Sequence, residues 1–191
     1  MPYKKLTLEL TGVAPLLLHN SRLADPLDEF ARALKKVSSK RAKTDADHEE
    51  MGRLEWLGGL YMADKVGPCI PQANALAMLV AGAKFNRLGK AAKAGIVIDK
   101  VGKIEYDGPR EPEKMWAAGK FIDKRSARIN GKSRIMRTRP RFDDWKVTLE
   151  VMYEPTIVDR ESVIRFAEKA GEVEGLGDNR PQFGRFTVVA K

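Results

Sequence analysis

The chain has 191 residues, and 35 lysines and arginines against 26 acids leave a formal charge of +9. Hydrophobic residues make up 43%, enough for a packed core, which excludes collagenous, disordered-tail and disulfide-scaffold classes. The length fits one domain, 1–191, on a prior of roughly 100–200 residues per domain.

The start, MPYKKLTLEL, is not read as a signal peptide, because a polar/apolar alternation follows the lysines. Leu6, Leu8 and Leu10 alternate with Thr7, Glu9 and Thr11, which predicts a half-buried strand. PLLLHNS continues as an irregular extended segment. The longest near-apolar run, Val13 to Leu18, is far short of the ~18 residues of a membrane span. Asp25-Pro26 predicts a helix start with Asp25 as the cap, followed by Leu27, Phe30, Ala31 and Leu34 at helical spacing. A second helix is expected from Asp47 to Met62. The basic run Lys35–Lys43 and the acids after it predict a helical hairpin of self-compensating charge.

Gly67-Pro68 reads as a turn. Cys69 is the only cysteine, so no internal disulfide is possible, and a reducing, cytoplasmic setting is expected. Pro71 opens a third helix, QANALAMLVAGAKF. Short strands are expected at Ile96–Ile98 and Val101–Tyr106, with loop from Gly108 to Pro112. Phe121 to Phe142 reads as a long basic hairpin turning at Asn130-Gly131. Trp145 to Tyr153 alternates as a strand. Asp159 caps a helix with the stripe Val163, Phe166, Ala167 and Ala170. Gly171 to Gly177 ends it, and Phe183 to Val189 is the last strand.

With 19–66 set aside as a helical insertion and 108–142 as a basic-hairpin insertion, the remaining order is βαββαβ. That predicts an α+β, ferredoxin-like (RRM-like) core. The helical insertion follows its first strand, and a thumb-like hairpin lies between its second and third strands.

Lys120 to Arg141 holds nine basic residues and one acid, Asp123. A ribbon of like charge calls for a polyanion, and arginine suits phosphate forks and base stacking. The expected contacts are Lys120, Lys124, Arg125, Arg128, Lys132, Arg134, Arg137, Arg139 and Arg141. Ile129, Ile135 and Met136 near the tip are expected wedges. In GLGDNRPQFGRF, Gly175, Gly177 and Gly184 allow close backbone approach to a phosphate, flanked by Asn179, Arg180 and Arg185. A glycine C-cap and tight strand entry explain the same pattern without a ligand. Asp25 and Asp28 stand at a helix start, where caps belong; the other reading is a carboxylate acting on an RNA 2′-OH, a ribonuclease. His19, His48 and Cys69 have no metal-ligand spacing, and no cofactor motif is present.

Ile70, Pro71 and Leu76 fit a segment of the type I-P-G-S-S-L-K-G, from which Gln72, Ala73, Asn74 and Ala77 depart. Gly184, Arg185 and Phe186 match the end of a glycine-rich G-x-G-R-hydrophobic loop. With the strand running into PLLLHNS, these resemble the RAMP (repeat-associated mysterious protein) superfamily, in particular the CRISPR effector backbone subunits. The resemblance implies an antiviral-defence ribonucleoprotein: copies of the chain stacked in a helical filament on single-stranded guide RNA, with other effector subunits as further partners. It implies a hairpin acting as a thumb, and contacts from the segment after the first strand, here His19, Asn20, Ser21 and Arg22. Some members cleave target RNA with an aspartate after the first strand, for which Asp25 is the nearest residue. The expected function is sequence-tolerant RNA binding without cofactor or membrane. The alternatives are a phage-type single-stranded DNA-binding or annealing protein, and the ribonuclease.

Overall fold

A computed structural model describes residues 2–129 and 133–191. The chain is α+β and divides into two compact units. The first comprises residues 1–16, 62–107 and 142–191, and the second residues 17–61 and 108–141.

The first unit is built on β1 (Lys4–Gly12), whose alternation buries Leu6, Leu8 and Leu10. After a short strand, β2 (Leu16–Leu17), and the helices α1 (Glu29–Ser38) and α2 (Asp45–Gly59), the chain returns in β3 (Met62–Ala63) and β4 (Gly67–Ile70). Then come α3 (Gln72–Lys84), α4 (Gly89–Gly95), β5 (Ile96–Val97) and β6 (Gly102–Glu105). Helix α5 (Pro112–Ala118), β7 (Ile122–Ile129) and β8 (Ser133–Phe142) lead to β9 (Lys146–Tyr153), α6 (Arg160–Lys169) and β10 (Phe186–Ala190).

The large sheet runs β10-β1-β9-β6-β4-β3, with β5 also paired to β9. Along it β1 pairs antiparallel with β10 and β9, β9 with β5 and β6, and β4 with β6 and β3. Leu6, Leu8 and Leu10 lie opposite Val151, Leu149 and Val147, all buried. Such a buried leucine contributes about 2 kcal/mol against leaving it in water. The buried stripes of α3 (Ala75, Met78, Leu79) and α6 (Val163, Phe166, Ala167) belong to the same core. The two helices pack so closely that a Cβ on Gly82 would stand 1.9 Å from the Phe166 carbonyl oxygen.

In the second unit, Thr44 and Asp47 form a reciprocal capping box at the start of α2, and Lys40 Nζ reaches Asp47 Oδ1 at 2.5 Å. Helix α2 meets β8 along a stripe of small residues. A Cβ on Gly52 would lie 3.2 Å from Thr138 Oγ1, and one on Gly59 3.2 Å from Pro140 Cδ. Trp56 is fully buried; its Nε1 donates to the Phe121 carbonyl at 2.8 Å and its ring meets Trp116 edge-on.

Several boundaries differ from the sequence expectation. Asp25-Pro26 does not start α1. Asp25 closes a 3-10 turn (Ser21–Ala24) and its Oδ1 accepts from Leu27 N, while Asp28 caps the helix through Phe30 N and Ala31 N. Leu27 is 69% exposed, and α1 buries no residue. The turn expected at Gly67-Pro68 is strand β4; the chain reverses just before it, where Val66 N donates to the Ala63 carbonyl and Lys65 takes φ +62°. Helix α4 and nearly all of α5, which starts at the end of the expected loop, fall in stretches where no element is expected. Phe183 and Gly184 precede the last strand. Gly184 pairs instead with Leu176, whose N donates to the Gly184 carbonyl at 2.8 Å. The expected turn residues Asn130 and Gly131, and Lys132, lie outside the described residues. Among the described residues no helix is long and apolar enough to cross a membrane.

Candidate nucleic-acid interface

The register of β7 and β8 sorts the basic residues by face. Asp123, Arg125 and Ala127 share one face with Ile135, Arg137 and Arg139. Lys124, Ser126 and Arg128 share the other with Arg134, Met136 and Thr138. Each face carries one pair of arginines directly opposite one another: Arg125 with Arg137, and Arg128 with Arg134. Like charges in that position repel.

The first pair is compensated. Arg125 Nε donates to both oxygens of Asp123, at 2.9 and 2.7 Å, and its Nη2 makes a further short contact. The Asp123 carboxylate is buried and lies 3.8 Å from Arg141 Nη1 as well. Arg137 Nη1 donates to Glu55 Oε1 at 2.7 Å, and Glu55 Oε2 accepts from Thr138 N at 2.9 Å. Glu55, on α2, is 6% exposed. Arg125 and Arg137 are therefore engaged within the fold, and Arg139 is itself only 9% exposed.

The second pair is different. Arg128 and Arg134 are both exposed, and no carboxylate among the described residues pairs with either. Arg134 Nη1 donates to the neutral Ser126 Oγ at 2.9 Å. Met136, on the same face, is 64% exposed. Beside it opens a cleft of about 710 Å3 between α1, α2 and the hairpin. Leu34, Met51, Ile135 and Met136 make its apolar wall, with Lys124 and His48 at its polar side. Lys124 Nζ lies 5.9 Å from the Trp116 ring and exposed Lys120 lies near Phe121.

The segment after the first strand carries mostly local duties. Asn20 Oδ1 accepts from Arg22 N and its Nδ2 donates to the Leu60 carbonyl. The His19 carbonyl accepts from Tyr61 Oη at 3.3 Å, and Ser21 is exposed. Arg22 Nε donates to Asp28 Oδ2 at 2.8 Å, its Nη2 to Glu29, and its guanidinium lies 4.6 Å from the Phe30 ring centre. Desolvation acts to raise the Asp28 carboxyl, but the Arg22 hydrogen bond and the Phe30 and Ala31 N–H groups outweigh it. Asp28 is thus held below its ordinary range as an ionised cap with its acceptor positions taken. Asp25 is exposed, with Oδ1 on Leu27 N at 2.8 Å.

The glycine-rich loop belongs to the first unit. Gly175, Gly177, Asn179 and Gly184 all have positive φ. Gly175 N donates to the Ala170 carbonyl and Gly184 N to the Pro15 carbonyl, so these two donors are used within the fold. A Cβ on Gly184 would stand 1.7 Å from the Leu176 carbonyl oxygen. Gly177, Asn179 and Arg180 line an open depression of about 480 Å3 shared with Glu174 and Asp178. Two carboxylates there disfavour a phosphate. Arg185 Nε donates to the Pro181 carbonyl at 2.9 Å.

The residues expected to bind thus fall in two units: His19–Arg22 and the hairpin in one, the glycine-rich loop in the other. Sequence reasoning missed Glu55, hidden in an acid-rich stretch. Its position on the Gly52–Gly59 stripe of α2 was the available signal. The chain matches no protein-family model and no curated protein.

Proposed function

We propose that the chain binds single-stranded RNA with little sequence preference, as the repeating subunit of a helical ribonucleoprotein. The observation that carries this reading is the contrast between the two arginine pairs. Where the fold needs opposed arginines it supplies Asp123 and Glu55; at Arg128 and Arg134 it supplies no carboxylate among the described residues. An exposed, uncompensated cation pair is stabilised by a phosphate, which releases its counterions on contact. Exposed Met136 and the apolar cleft beside it offer a surface for unstacked bases, which single strands present and duplexes do not. The strand sequence β10-β1-β9-β5, with α3 and α6 between strands, supports a ferredoxin-like core of the RAMP type.

The test is fluorescence anisotropy with a labelled RNA of ~40 nucleotides across a salt series, where each neutralised phosphate contributes a slope near −0.7. Replacing Arg128 and Arg134 by Gln is expected to reduce the slope by about 1.4 without lowering the melting temperature. The RNA complex should gain protein mass in steps as the RNA is lengthened, and RNA should outcompete DNA of the same sequence through its 2′-OH groups. Salt-independent or absent binding overturns the reading. Preference for DNA replaces RNA with single-stranded DNA.

A further inference from the structure

From Lys65 to Ile98 the chain has five basic residues and no acid. Four of them, Lys84, Arg87, Lys90 and Lys93, line one open depression of about 660 Å3 on the first unit, completed by Val80 and Gly89. All four are exposed, and none makes an ion pair among the described residues. Lys90 and Lys93, three residues apart on α4, share a face. The macrodipole of α3 favours a cation in its last turn and so accounts for Lys84 alone.

Arg87 adds an independent observation. It follows α3 with φ +62°, while Leu88 N reaches back to the Ala83 carbonyl at 3.0 Å. This is the left-handed position that closes a helix and that glycine ordinarily fills. An arginine there strains the backbone, and a strained residue kept in place points to a use for its side chain. Two residues before it in the chain, Phe85 is 53% exposed, with Lys169 Nζ 5.7 Å from its ring. Cations in a groove beside an exposed aromatic ring are the combination that holds single strands.

We propose that this depression is a second nucleic-acid contact, separate from the hairpin. Lys84, Arg87, Lys90 and Lys93 take consecutive phosphates of a single strand, and Phe85 stacks on a base. The choice of ligand rests on the hairpin reading; the residues are different. The depression favours a phosphodiester chain over a lipid surface, because its cations line a concavity.

The experiment uses the full chain and the same RNA salt series, with three variants. Arg87→Gly is expected to melt at a higher temperature than the wild type yet bind RNA several-fold more weakly, with the slope reduced by about 0.7. A structural role for Arg87 would give the rise in melting temperature without the loss. The triple variant Lys84→Gln, Lys90→Gln, Lys93→Gln is expected to reduce the slope by about 2 and the affinity on the order of tenfold or more at low salt. Arg128→Gln with Arg134→Gln reports on the hairpin separately. If only the hairpin variant weakens binding, the second contact is overturned and the hairpin reading stands. If only the triple variant does, the second contact stands and the hairpin reading falls. Loss of binding to phosphatidylserine-containing vesicles, with RNA binding unchanged, would assign the depression to a membrane surface and overturn the proposal.

Discussion

Gly184 is held in place by its backbone geometry, which by itself predicts the effect of a substitution. Its φ is +71°, and any side chain would run into the Leu176 carbonyl at 1.7 Å. Gly184→Ala combines a left-handed strain with a backbone clash and should cost roughly 3 kcal/mol or more in denaturant unfolding. That cost would appear with or without RNA, because the glycine serves the crossing of two loop segments. Asp47 offers a different test. The Lys40 ammonium, with the Thr44 N–H and hydroxyl, holds its carboxyl down from 3.8 to about 2. A depressed folded-state value means that the stabilisation is present above 3.8 and is lost as pH falls towards 2. Wild type should therefore melt above Asp47→Asn at neutral pH, and the gap should close as the solution is acidified to about pH 2.

At the scale of elements, the hairpin is fastened to α2 by one buried carboxylate. Glu55→Ala would leave Arg137 and the Thr138 N–H without their acceptor. With Arg137 about one third exposed, the expected cost is about 2–3 kcal/mol, less than for a wholly buried pair. Glu55→Gln should cost less, since an amide oxygen still accepts from Thr138; urea unfolding of the two variants checks the order. The same contact makes Arg137 unsuitable for testing RNA binding. Its loss would be felt as instability, whereas Arg128 and Arg134 carry no such duty.

The strands were legible where alternation was strong. Leu6–Leu10 and Val147–Tyr153 needed only the two-residue period. Helix starts were legible where one cap competed with none, as at Asp159. They failed where two acids stood three residues apart, because the choice of Asp28 over Asp25 depends on Arg22 folding back. Of the candidate site, the charge of 120–141 could be counted in the sequence. Which arginines are consumed by the fold could not, since that turns on Glu55, more than 80 residues distant. The basic depression at 84–93 was visible only as an absence of acids.

For the whole molecule, the sheet order has a bearing on function that no single pairing has. β1 lies between β9 and β10, so Leu8 faces Leu149 on one side and Ala190 on the other. Both neighbours of β1 lie more than 130 residues after it, in the last quarter of these 191 residues. Ribosomes add about 5–20 residues per second, so roughly 7–30 s separate the appearance of β1 from that of β9. Through that interval Leu6, Leu8 and Leu10 lack the strands they pair with, and the first unit cannot close before β9 and β10 have been made. The second unit faces a shorter wait, because its last strand, β8, ends at Phe142, before β9 is made. The basic hairpin is thus fully synthesised while the large sheet still lacks β9 and β10.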